Sequence, residues 1–100
     1  MTPLLQHEEF VRHLNTEFRI RVGDAETIPA KLTNVSEQLI GPRQERFSVV
    51  YRTSNEPFLG QGMRPFEHDQ MGNFDLFIVP LERNDEGTYY EAVFNRMIKK

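Results

Sequence analysis

Cysteine and tryptophan are both absent from this 100-residue chain. Without cysteine there is no disulfide staple, no thiolate nucleophile and no sulfur-rich zinc site. Charge of one sign is scarce at any one place: 12 basic residues are scattered among 15 acidic ones, for a formal net charge of -3. A phosphate-backbone binder needs a concentrated basic surface to displace counterions, so no nucleic acid partner is expected. Long hydrophobic runs are missing too. The longest, Leu76 to Leu81, falls far short of the about 20 residues that span a bilayer. The N-terminus carries no basic flank followed by an apolar core. The chain therefore reads as a soluble, unprocessed, cytoplasmic product with no membrane span.

What is present is the composition of an ordinary globular protein, 38% hydrophobic and 27% charged, with 11 aromatic residues to supply bulky burial. One domain with one core, over residues 1–100, is the expectation for this length. Nine of the twelve cations are arginine, which favours planar pairing with carboxylates over solvated point charges.

Periodicity divides the chain into a short helical start and a β core over 16–95. Thr2 followed by Pro3 has the form of a helix start, and Leu4, Phe10, Val11 and Leu14 follow at helical spacing, which predicts a helix over 2–15. From Glu17 the period changes to two, with Phe18, Ile20 and Val22 on one face. A turn at Gly23-Asp24 leads to a partner strand over 27–35 with Ile28, Ala30 and Leu32 inward. Val35 falls on the opposite parity, so a bulge near Thr33-Asn34 or a barrel corner is expected. Pro29 belongs at an edge or near a strand start, having no N–H to donate.

After the Gly41-Pro42 break, Phe47, Val49 and Tyr51 mark a third strand, and Met63 to His68 a fourth. Phe74 to Pro80 is apolar on both faces, with Phe74, Leu76 and Ile78 on one and Phe77 and Val79 on the other. Such a strand is expected to lie centrally with its second face covered, and the N-terminal helix is the element free to cover it. A polar turn over 83–87 precedes the last strand, 88–95, and residues 96–100 read as a frayed tail. Six strands with short turns predict a mainly β fold, either a six-stranded antiparallel barrel or a two-sheet sandwich with a short N-terminal helix.

No catalytic set emerges. His7 and His13 are six residues apart, about 120° around a helix, so they do not share the face that a two-histidine metal motif requires and read as part of a solvated face. His68-Asp69, with Glu67 and Asp75 near, is the densest titratable cluster, but no serine or cysteine offers a nucleophile setting, and a histidine bonded at a turn accounts for it. Gly60 and Gly62 lack the spacing and following helix of a phosphate loop. Asp85-Glu86 has too few alternating oxygens for calcium. No cofactor and no metal are expected. Arg43 and Arg46, flanking Gln44-Glu45, together with Arg64, Phe66 and His68 on one face of the fourth strand, form the candidate interaction surface.

The stretch Pro42-Arg43-Gln44-Glu45-Arg46-Phe47-Ser48-Val49-Val50-Tyr51-Arg52 is followed by Gln61-Gly62, Phe66-Glu67-His68, Gly72, Phe74-Asp75-Leu76-Phe77-Ile78-Val79-Pro80 and Tyr90-Glu91-Ala92-Val93-Phe94-Asn95. In that order they resemble a family of small bacterial single-domain proteins of unknown function. The resemblance implies a stand-alone domain with no assigned activity, loosely associated with genes for phage-tail-collar-like proteins, and it carries over no catalytic role. The functional expectation is a non-enzymatic structural or protein-interaction domain with a protein partner or self-association as a homo-oligomer. The alternative is a small-molecule-binding β-barrel, to which Tyr51, Tyr89, Tyr90 and His68 would offer polar contacts.

Overall fold

The computed structural model describes residues 6–97. The elements in chain order are α1 (His7–Arg12), β1 (Glu17–Arg21), β2 (Thr27–Val35), β3 (Leu39–Ile40), β4 (Gln44–Thr53), β5 (Gly62–His68), β6 (Gly72–Asn84) and β7 (Gly87–Met97). Six of the strands close into an antiparallel barrel in the order β1-β2-β4-β7-β6-β5, because β2 pairs with β4 on one side and β1 with β5 on the other. Barrel rather than sandwich is thereby decided. The seventh strand, β3, is a two-residue addition against the start of β4, with Leu39 opposite Arg46.

The inward parity of each strand builds one core. Phe18 and Ile20 of β1, Ala30 and Leu32 of β2, Phe47, Val49 and Tyr51 of β4, Phe66 of β5, Leu76 and Ile78 of β6 and Tyr90 and Ala92 of β7 are all buried. Aromatic rings fill the centre edge to face and offset: Phe18 lies 5.0 Å from Tyr51, and Tyr51 4.9 Å from Phe66. Of the bulge or barrel corner that parity allowed in β2, the structure has an irregularity of register between Leu32 and Asn34. Pro29 lies opposite Arg19, in the part of β2 that precedes its pairing with β4, so its missing N–H breaks no ladder on that side.

Both ends of the barrel are plugged. At one end Phe10 of α1, fully buried, reaches Phe47, Phe74 and Phe94 at 6.1, 6.2 and 5.3 Å. At the other, the loop between β4 and β5 folds inward with Leu59 buried, and the Leu59 amide donates to the Tyr90 hydroxyl at 2.8 Å. The two-sided expectation for Phe74 to Pro80 is corrected here. The helix stops the barrel's end instead of covering the outer face of β6, and Phe77 and Val79 remain 49% and 37% exposed.

Other boundaries shift for local reasons. The helix is described only as His7–Arg12, with the Glu9 carboxylate accepting the Gln6 amide at 3.3 Å, and the Thr2-Pro3 start lies outside the described residues. The polar segment 83–87 is mostly strand: β6 runs to Asn84 and turns through Asp85-Glu86 into Gly87. Gly87 is required there, since at φ 144° its Cβ would stand 2.1 Å from the Thr53 carbonyl oxygen. Arg96 and Met97, read as tail, pair with Glu45 and Gln44 as the end of β7, and 98–100 lie outside the described residues.

Candidate interaction surface

The five residues that the sequence singled out do not form one surface. Phe66 and His68 point into the barrel, at 0% and 7% exposure. Arg64 is half-buried on the same strand, donating to the Gly60 carbonyl at 3.2 Å, with its Nε buried and unpartnered. Arg43 and Arg46 are exposed near β3, on a different part of the barrel wall.

His68 is held by a network that sequence could not show. Its Nδ1 accepts the backbone amides of Gln70 and Met71, both at 3.1 Å. The Thr16 hydroxyl donates to the His13 carbonyl at 2.6 Å, so the His68 Nε2–H must donate to Thr16 Oγ1 at 3.1 Å. This arrangement suits only the neutral ring, because a proton on Nδ1 would face two N–H donors. Burial, followed by the electrostatic influence of the neighbouring His13, pulls its pKa below 6.5; Asp69 opposes and Arg19 adds to the depression.

His13 is the correction to the solvated helix face. It is 8% exposed, its ring lies 4.6 Å from that of His68, and it bonds the Glu9 carbonyl and the Gln70 side chain. The two histidines therefore join the end of α1 to the β5–β6 turn. The carboxylates beside His68 point the other way: Asp69 and Glu67 pair with Arg19 at 3.0 and 3.5 Å, and Glu67 with Arg21 at 3.0 Å. An acid–base pair of His68 with Asp69 or Asp75 is not assembled, since Asp75 stands exposed opposite Pro65.

The outer wall carries what the core did not absorb. Val93 of β7, Phe77 of β6, Leu39 of β3 and Met97 of β7 are 52%, 49%, 61% and 77% exposed, and Met63, opposite Phe77, is 62% exposed. Strand parity explains this grouping. On β4 the outward residues are Arg46 and Ser48, and they lie opposite Asn95 and Val93, while Leu39 flanks Arg46 from the other side. Between β3, β4 and β7 runs a groove of about 150 Å³ whose walls include Ser36, Leu39, Arg46, Glu91 and Val93. Neither Arg46 nor Glu91 has a side-chain partner among the described residues. Leu39, Glu91 and Val93 were missed from sequence, although the doubly apolar strand that contains Phe77 was a visible signal.

Among the described residues no three of histidine, aspartate, glutamate or cysteine converge to hold a metal ion. No helix among them is long and apolar enough to cross a membrane. Neither the curated proteins nor the solved structures give a match to this chain. A family model does, described as Domain of unknown function (DUF6916) and spanning residues 5–94. That span takes in the helix, the barrel as far as Phe94 of β7 and the outer groove, and the chain belongs to this family.

Proposed function

We propose that the chain is a non-enzymatic protein-interaction domain that docks through the outer wall of β3, β4, β6 and β7. The observation that carries this reading is the exposure of Leu39, Phe77, Val93 and Met97 on neighbouring strands, around a groove edged by charge. Large apolar side chains exposed together on one face, interleaved with Arg46, Ser48 and Asn95, cost solubility unless something covers them. In the setting that the sequence resemblance implies, the domain would be an accessory or assembly component of a phage-tail-like or surface structure.

The ligand-binding barrel is supported less. Phe10 and Leu59 occupy the two mouths, the Tyr90 hydroxyl is taken by the Leu59 amide, and both ring nitrogens of His68 are engaged. Tyr89 is half-buried on the other parity of β7 from Tyr90.

The test compares native masses of wild type and a Phe77→Ser/Val93→Ser variant, both purified and in extract of the source cell. Wild type is expected in a discrete complex that the variant loses at unchanged melting temperature. A wild-type chain that is a bare monomer in both settings overturns the proposal.

A further inference from the structure

We infer that the partner on this face is a second copy of the same chain, packed about a two-fold axis near Val93 so that Arg46 of each copy meets Glu91 of the other. The inference rests on the interaction reading above and names its occupant. A two-fold interface is self-complementary: whatever one copy presents, the other must answer with the same patch. A face of one charge sign would repel its own copy. This one carries a cation and an anion on either side of an apolar centre.

The register fixes their placement. Arg46 lies opposite Asn95, Ser48 opposite Val93 and Val50 opposite Glu91. Asn95, Val93 and Glu91 share the outward parity of β7, so Arg46 and Glu91 are separated along the strands by four residues, roughly 13 Å. That is too far for an ion pair within one copy. It leaves both charges unsatisfied beside exposed Val93 and Leu39. An axis in the plane of the face, crossing the Arg46–Glu91 diagonal near Val93, exchanges the two charges. One contact then generates two identical ion pairs flanking an apolar centre, to which Phe77 adds from β6. Glu37 lies at the groove's rim and is also exposed, and it adds a second carboxylate within reach of an incoming arginine. Partial exclusion of water by Val93, Leu39 and Phe77 raises the worth of these pairs above that of open surface bridges.

The test is a charge swap read by sedimentation equilibrium over a concentration series. Wild type is expected to pass from monomer to dimer without larger species, as a closed two-fold contact dictates. Arg46→Glu alone and Glu91→Arg alone should each weaken dimerisation by about tenfold or more, and the two together should recover to within about threefold of wild type. Arg46→Gln and Glu91→Gln serve as milder variants if a reversal lowers the melting temperature. Val93→Asp should abolish the dimer. A purified chain that stays monomeric throughout overturns self-association, while the interaction reading is then decided separately by the mass in cell extract. A dimer indifferent to all of these substitutions, or single reversals that the double variant does not rescue, overturns the Arg46–Glu91 arrangement.

Discussion

Three buried residues, Tyr51, Gly87 and His68, define what single positions do in this barrel. The Tyr51 hydroxyl is fully buried with no hydrogen-bond partner, and burial pushes its pKa well above 10.0. Leaving a polar group unmatched costs more than removing it, so Tyr51→Phe should be neutral or stabilising by about 1 kcal/mol in urea titration; a clear loss would mean that the hydroxyl serves something. Gly87→Ala meets the Thr53 carbonyl at a positive φ and should destabilise by about 3 kcal/mol in the same measurement. His68 gives a pH dependence. Its folded pKa lies below 6.5, so the unfolded chain takes up the proton first as pH falls. Its contribution is therefore complete above about 6.5 and is lost as the pH drops through that value toward the folded pKa, below which the loss levels off. Melting temperature followed from neutral to mildly acid pH should fall in wild type, with a shallower fall in His68→Gln. Equal slopes would assign the titration elsewhere.

At the scale of elements, the helix is the plug. Six residues of isolated helix have no stability in water, so α1 is held by what it touches: the Phe10 ring among Phe47, Phe74 and Phe94, the His7 ring nitrogen against the Ser36 carbonyl at 2.8 Å, and His13 against Gln70. Phe10→Ala should cost about 3–5 kcal/mol and expose the α1 amides and the open end of the barrel to hydrogen exchange first. Uniform exchange across the chain would mean that the plug and the barrel unfold together. β6 has two partners in succession, β5 over Gly72–Ile78 and β7 over Val79–Asn84, with a register shift between Pro80 and Glu82. Proline without an N–H sits where the ladder is already irregular, which is why a strand that ended at Pro80 by sequence continues to Asn84.

At the scale of the molecule, closure removes most strand edges and leaves the outer wall facing solvent. The ring is sealed by the pairing of β2 with β4 and of β1 with β5, the latter joining Arg19 to Glu67 across 48 positions of sequence. Such non-local pairing predicts folding on the millisecond-to-second scale by stopped-flow fluorescence of the tyrosines, slower than a helical domain of equal length. Microsecond folding would mean that the hairpins β5–β6 and β6–β7 do not wait for ring closure.

Alternation alone located the six barrel strands, the inward rows Phe18-Ile20, Phe47-Val49-Tyr51 and Tyr90-Ala92, and the parity break in β2, because a period of two is a local property of the chain. Leu39–Ile40 was too short to show any period, and so β3 was not legible. The helix's role, the inward turn of Phe66 and His68 and the His13–His68 contact depended on which strand ends meet, and that is set by ring closure among residues far apart in sequence. The same closure decided that Phe77 faces out uncovered. A strand with two apolar faces signals that its second face is buried against something, and only the folded barrel, whose ends use up both the helix and the β4–β5 loop, leaves that face on the outside.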